Sequence, residues 1–346
     1  MKAKQTIYTV AETLNLSPST VSKALRGSHE VSDLMRERIV NYCQEIGFHR
    51  RRFTPSRINL CAVVQRYHVG DRWFAGFVTE VLEGIADYTV QNGIEFSLYG
   101  NERKELDRME LARELKRRHV NAAILVNADK NCRYIDSFDK IGMPFCCIQG
   151  DDGRHPGRVV ALRNSDYAAE AVRTLHRMGH RRICLLAAGP NMGASGERRQ
   201  GYIDTMRELF GGEEQGLVVE GHPDEVDAVA VGYYAAREIL GMRPRPTAVI
   251  SEGVKPPIGF VRACHEARVR IPDDLSILSI GNSPELESLV PSLTAIEVPT
   301  RELGEMAAKR LHMELISRDV PEEKSHSFPK PRVIMRESVA APPVAD

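Results

Sequence analysis

The chain of 346 residues reads as an α/β protein in which a small all-helical head precedes two successive doubly wound parallel-sheet units. Three observations carry this. Short amphipathic segments fill the stretch before residue 50; from Ile58 onward continuous apolar runs alternate with helical periodicity; and that alternation starts afresh near residue 161.

In the head, "TIYTVAETLN" puts Ile7, Val10, Ala11 and Leu14 on one face. Asn15 follows where the chain must turn tightly, and asparagine tolerates the left-handed backbone that such a turn needs. "NLSPSTVSKALRG" then opens with Ser17 as N-cap and Pro18 as first helical residue. The serine oxygen takes an orphan amide proton, and proline has no amide proton to leave unpaired. Val21, Ala24 and Leu25 recur at helical spacing, Ser19, Thr20, Ser22, Lys23 and Arg26 fall elsewhere on the wheel, and Gly27 ends the segment. Ser32 caps a third helix, "DLMRERIVNYCQEIGF", with Leu34, Ile39, Tyr42, Cys43 and Ile46 as its apolar positions. Two helices on a tight turn followed by a third are helix-turn-helix grammar. A small bundle with a solvated face has the same pattern, and charge separates the two readings. Residues 1–57 hold ten lysines and arginines against five carboxylates, +5 in a chain that is neutral overall, so the rest carries −5. A basic head on an acidic body suits a tethered phosphate-binding domain.

The body is strand and helix in turn. "INLCAVVQ" is an apolar strand, "FAGFVTEVLEGIADYTVQNG" an amphipathic helix ended by Gly93, and "IEFSLYG" the next strand. "ELDRMELARELKRRH" follows as a helix, "VNAAILVN" as a strand, "YIDSFDKIG" as a helix and "MPFCCIQ" as a strand. The second unit repeats the scheme from "SDYAAEAVRTLHRMGH" through the strands "RRICLLAAG", "GLVVEG", "TAVISEG" and "LSILSIG". Runs buried on both faces imply parallel sheets. Two such lobes leave a cleft off the carboxyl ends of their strands, the default small-molecule site of open α/β sheets.

Several function classes are excluded on motif grounds. There is no P-loop, no H-E-x-x-H and no G-x-S-x-G, and the glycine-rich "GPNMGASGE" lacks nucleophile-elbow spacing, so no enzyme is expected. The seven cysteines, at 43, 61, 132, 146, 147, 184 and 264, sit mostly inside apolar runs without a C-x-x-C pair and read as reduced core thiols. His176 and His180 are read as structural or surface groups; no metal site and no cofactor is expected. No apolar run approaches a membrane span and "MKAKQTIYTV" has no signal-peptide core, which places the protein in the cytoplasm and away from membranes.

The chain resembles the lactose-repressor (LacI/GalR) family of bacterial transcription regulators over nearly its whole length. "VAETLNLSPSTVSKALRGSHEVSDLMRERI" looks like that family's headpiece. "FVTEVLEGIADYTVQNG", "RTLHRMGHRRICLL", "RRQGY", "PTAVIS", "VRIPDDLSILSIG", "PSLTAIEVPTRELGEMAAKRL" and the closing "PRVIMRES" match later blocks in order. The resemblance implies a two-lobed core of the type I periplasmic-binding-protein kind. It also implies a repressor role played by a homodimer on a near-palindromic double-stranded DNA operator. Helices near 76–92 and 105–119 are the implied dimer surface. Pro18, Ser19 and Lys23 take base-reading positions, with Lys23 as the main donor to guanine. Thr6, Ser17, Thr20, Ser22 and Arg26 approach phosphates or the groove wall.

Two departures stand out. The family's A-x-x-L linker is absent from "FHRRRFTPSRIN", where Pro55 interrupts any helix. Arg50, Arg51 and Arg52 either track phosphates or a narrow minor groove in its place, or form a solvated basic linker. In the cleft, the R-x-x-G-Y arginine is present as Arg198. The three positions where the resemblance places an aspartate for sugar hydroxyls carry Arg163 (before Asn164), Val254 (after Glu252 and Gly253) and Gly281. Arg163 with Arg198 would favour an anionic effector, or at least not a simple neutral sugar, or no effector at all. Trp73 and Phe74 sit where a ligand-stacking aromatic is common, or else pack the lobes.

The expected organisation is a headpiece over 1–49, a basic linker over 50–57, a core over 58–338 and a disordered tail over 339–346. Within the core, the first lobe takes 58–160 and 292–320, and the second 161–291 and 321–338. The alternative is a periplasmic-type solute-binding module with no DNA role, which shares the two-lobed fold but neither the basic head nor the missing signal segment.

Overall fold

A computed structural model describes residues 7–25, 31–46, 58–66, 75–128, 132–149, 155–187, 193–211, 216–221, 227–316 and 330–343. The chain divides into two compact units, Met1–Ser56 and Arg57–Asp346.

The first unit holds α1 (Ile7–Leu14), α2 (Pro18–Leu25) and α3 (Asp33–Glu45). Val10, Ala11 and Leu14 of α1 meet Val21 and Ala24 of α2 and Ile39 and Cys43 of α3 in one buried cluster. Asn15 turns the chain between α1 and α2 with φ +54°, the left-handed conformation expected of it. Leu34 departs from expectation: it is 83% exposed, and Met35 packs on the core instead. The buried stripe of α3 runs Met35, Ile39, Tyr42, Cys43 and Ile46, and Leu34 lies about 100° off it.

The second unit has two sheets. The first lobe contains β1 (Asn59–Arg66), α4 (Ala75–Gln91), β2 (Glu95–Glu102), α5 (Arg103–Arg108), α6 (Leu111–Arg117), β3 (Ala122–Val126), α7 (Asp136–Ile141), β4 (Phe145–Ile148) and β5 (Val159–Val160). Its strands are all parallel, in the order β2-β1-β3-β4-β5. The second lobe contains α8 (Asn164–Arg177), β6 (Ile183–Ala187), α9 (Gly193–Phe210), β7 (Leu217–Glu220), α10 (Ala228–Gly241), β8 (Ala248–Glu252), α11 (Pro256–Glu266), β9 (Ser276–Ile280), α12 (Pro284–Glu287) and β10 (Thr294–Glu297). The chain then returns to the first lobe as α13 (Thr300–Ile316), packed on α4 and against β3 and β4, and ends in β11 (Arg332–Ile334). The second sheet runs β11-β10-β9-β8-β6-β7, parallel except for β11 on β10. Every residue of β3, β4, β6, β8 and β9 is buried, as in parallel sheets covered by helices on both faces.

Three expectations need correction. The single helix read over "ELDRMELARELKRRH" is two, broken at Met109, whose backbone is extended (φ −107°, ψ 152°). Leu106 and Leu111 are both fully buried, yet five residues on one helix stand about 140° apart, so the break lets both reach the core. The lobe boundary at 292 is too early: Thr294–Glu297 pairs in register with β9 (Thr294 opposite Leu278) and belongs to the second lobe. The tail is not disordered where it begins. Val339 is buried, the Ala340 amide donates to Ser276 Oγ (3.1 Å) and the Ala340 carbonyl accepts from His180 Nε2 (2.8 Å). An Ala/Pro-rich composition does not reveal backbone groups that dock by hydrogen bonds.

All seven cysteines are buried and free. Burial pushes the thiols of Cys146, Cys184 and Cys264 up to about 12, which keeps them protonated and inert. Among the described residues no helix is long and apolar enough to cross a membrane, and no cluster of His, Cys, Asp or Glu could hold a metal ion.

Candidate functional site

In the head, the chemistry sits on the first turns of α2. Ser17 Oγ accepts the Thr20 amide (3.0 Å) and pairs with Thr20 Oγ1 (2.8 Å), the N-cap that the Ser-Pro start requires. Val21 and Ala24 face the core, so the opposite surface is left to Ser17, Pro18 and Ser19, all exposed, with Thr20, Ser22 and Lys23 half-buried beside them. Lys23 follows Ser19 by one turn on this surface. Thr6, Arg26, Arg50, Arg51 and Arg52 lie outside the described residues.

In the core, a cleft of about 150 Å³ opens at the carboxyl ends of the strands, where the two lobes face each other. The first two turns of α4 supply Phe77 and Glu80, Asn127 follows β3, and Gln149 follows β4. The second lobe supplies Ser195 and Arg198 from α9, Glu252 from the end of β8, and Asn282 after β9; Val298 and Thr300 lead into α13. Asn127 and Gln149 hold φ of +57° and +53°, a conformation that costs a non-glycine residue energy and that clusters at ligand clamps.

Of the residues expected here, Arg198 and Glu252 line the cleft together. Glu252 is 1% exposed, and its Oε2 accepts from Ser195 Oγ at 2.6 Å. Burial pulls the Arg198 guanidinium down from its ordinary value, and the carboxylates of Glu252 and Glu197 oppose that shift. Its Nε is buried without a hydrogen-bond partner. Asn164 stands behind the wall: its Nδ2 donates to Gln149 Oε1 (3.2 Å), and its backbone amide donates to Glu197 Oε2 (3.2 Å). The neighbouring Tyr167 hydroxyl is buried, and loss of solvent pushes it up to about 12. Trp73 and Phe74 lie outside the described residues.

Arg163 is a correction. It is exposed, caps α8 and does not line the cleft, because the turn that directs Asn164 inward directs its neighbour out. The paired-arginine argument for an anionic effector therefore fails. Nor is the cleft without carboxylates: Glu80 and Glu252 stand against Arg198 alone among the described wall residues. Glu80 is half-buried; desolvation raises its carboxyl from the ordinary value and the Thr300 hydroxyl partly offsets this. The positions 254 and 281, where an aspartate was expected, are sterically coupled. Gly281 has φ +118°, accessible to glycine, and a Cβ there would lie 3.2 Å from Val254 Cγ1. Glu80, Asn127, Gln149, Asn282 and Thr300 were missed in the sequence, although Asn127 and Gln149 directly follow apolar strands whose carboxyl ends are the expected site.

Comparisons with known proteins agree with this architecture. Residues 6–51 match the family described as "Bacterial regulatory proteins, lacI family", and residues 172–339 match the "Periplasmic binding protein-like domain". The HTH-type transcriptional regulator CelR of Thermobifida fusca is 25% identical over 321 residues, covering 90% of this chain and 92% of that protein. The ribose operon repressor of Haemophilus influenzae is 25% identical over 346 residues, covering 96% and 98%. A solved structure of the lac repressor dimer bound to operator and the anti-inducer ONPF has a TM-score of 0.68 at 19% identity, covering 97% of this chain and 99% of that one. A helix-turn-helix head matched to that family, a type I periplasmic-binding-protein-like core and near full-length regulator relatives place this chain in the lacI family of bacterial regulatory proteins.

Proposed function

We propose that the protein is a sequence-specific DNA-binding transcriptional repressor that acts as a dimer on a near-palindromic operator and answers to a small molecule in the inter-lobe cleft. The observation that carries the reading is α2: a capped helix whose core-averted surface is short hydroxyls plus one lysine, able to lie close to a phosphate backbone while Lys23 reaches guanine acceptors. The relatives described as operon repressors, and the lac repressor solved on its operator, support the same reading. Dimerisation through the first lobe is supported by its edge. There β2 ends the sheet with Leu98 58% exposed, and Val90 at the end of α4 is 80% exposed. The basic run Arg50, Arg51 and Arg52 adds phosphate contacts between headpiece and core.

A binding selection from genomic fragments at moderate salt tests the proposal. The wild-type protein is expected to recover one near-palindromic motif. Lys23→Ala is expected to relax a base position in each half-site at a cost of about 1–3 kcal/mol. Changing Arg50, Arg51 and Arg52 together to Ala is expected to weaken all sites alike and to flatten the salt dependence. Recovery of no motif, or of a motif without dyad symmetry, refutes the reading.

A further inference from the structure

The charge balance of the cleft names a ligand class, an inference that rests on reading the cleft as the effector site. Arg198 already has counter-charges in Glu252 and Glu197. Glu80 has none among the described residues: it lines the cleft half-buried, and the carboxylates of Glu83, Glu302 and Glu285, all of the same sign, push its carboxyl upward. The described cations on neighbouring elements are engaged elsewhere. Lys255 is held by Glu285 at 3.0 Å, and Arg301 by Asp87 and, at 3.8 Å, by Glu83. A closed cleft would strip water from Glu80 with no cation beside it among the described residues, a costly arrangement that a positive charge on the ligand relieves. An anionic ligand would meet two carboxylates against one guanidinium. The rest of the wall suits hydroxyls: the side-chain amides of Asn127, Gln149 and Asn282 and the Ser195 hydroxyl line it, with Phe77 as an apolar surface.

We infer that the effector is a small polyhydroxylated amine, of the amino-sugar or aminocyclitol class, whose ammonium pairs with Glu80 while its hydroxyls meet the amide side chains. Calorimetric titration of the intact protein with glucosamine, galactosamine, mannosamine and the aminocyclitol 2-deoxystreptamine tests this. Each amino sugar is paired with its neutral parent sugar and its uronic acid. At least one amine is expected to bind about tenfold or more tightly than its neutral partner, the share of one charge-assisted hydrogen bond. Glu80→Gln is expected to abolish that preference. The wild-type charge series stands alone as a test if the variant does not fold. The inference is overturned if neutral or acidic members bind as tightly as the amines, if Glu80→Gln keeps the amine preference, or if no amine binds at millimolar concentration. DNA binding by the same preparation separates the two readings: intact DNA binding with a neutral or acidic preference refutes the ligand class alone, whereas absent DNA binding refutes the regulator.

Discussion

Alanine at Gly201 sets the fold against the cleft in one substitution. Gly201 is buried on α9 against the start of α8, and a Cβ there would lie 2.4 Å from the Ser165 carbonyl oxygen and 2.6 Å from its Cα. These are backbone atoms of a packed helix that cannot rotate away. Restoring ordinary contact near 3.4 Å requires the two helices to part by about 1 Å. Overpacking of this kind costs about 1–3 kcal/mol, against about 1 kcal/mol of helix propensity gained, for an expected net loss of about 1 kcal/mol. Gly196, five residues earlier on the same helix, is the internal control: it is exposed, and a Cβ there meets nothing within 4 Å. Gly196→Ala should therefore stabilise by about 0.5–1 kcal/mol. The urea midpoint, read with the slope checked for constancy, should fall for Gly201→Ala and rise for Gly196→Ala. Ligand affinity should fall with the first as well, because Arg198 lies one turn from Gly201 and a site tolerates only about 0.5 Å of displacement. A Gly201→Ala protein as stable as the wild type would refute the packing argument. Equal loss in both variants would show that α9 responds to composition and not to its contact with α8.

Two further outcomes follow from local geometry. Ser17→Ala removes the cap of α2 and should reduce headpiece stability by about 1 kcal/mol in amide exchange on the intact chain; Ser17→Asp should restore the cap yet weaken DNA binding by repelling phosphate. His180 is fully buried between Thr247 Oγ1 (2.9 Å) and the Ala340 carbonyl (2.8 Å), and burial lowers it from its ordinary 6.5. Its stabilising contribution is thus complete above 6.5 and is lost as pH falls through the depressed folded-state value. The melting temperature should drop between about pH 7.5 and about pH 5.5, and His180→Gln should flatten that drop without abolishing it, because burial lowers His312 in the same direction.

What could be read in advance was what local chemistry decides. The Ser17 cap, the Asn15 turn and the apolar strands of both lobes depend on a few adjacent residues, and each appears where its neighbours require it. Arg198 and Glu252 were legible because each sits in a recognisable short motif. Glu80, Asn127 and Gln149 were not, because they belong to three separate strand-to-helix junctions that only the β2-β1-β3-β4-β5 order brings to one wall. Arg163 failed for a finer reason: adjacency in sequence to Asn164 does not imply a shared direction at the first turn of a helix. The tail failed because Val339 and Ala340 are held by a histidine and a serine 160 and 64 residues away from Ala340, which no composition reports.

The cleft also limits how an effector can act. Glu80 belongs to the first lobe and shares its wall with Thr300, just past the crossover at Val298; Glu252, Ser195 and Arg198 belong to the second. A ligand shifts a two-state equilibrium only through its differential affinity for the states, and a nearly complete switch takes about 5.5 kcal/mol. One ammonium on Glu80 supplies about 1.5–3 kcal/mol as a charge-assisted hydrogen bond, which is insufficient. The remainder has to come from hydroxyls that touch Asn282, Ser195 or Arg198 across the gap. A short amine such as ethanolamine should therefore occupy the Glu80 side weakly and leave operator affinity unchanged, whereas a full-length polyhydroxylated amine should change it. If ethanolamine at saturation altered operator binding as strongly as the larger ligand, coupling would reside in the Glu80 side of the cleft alone, and bridging of the lobes would play no part.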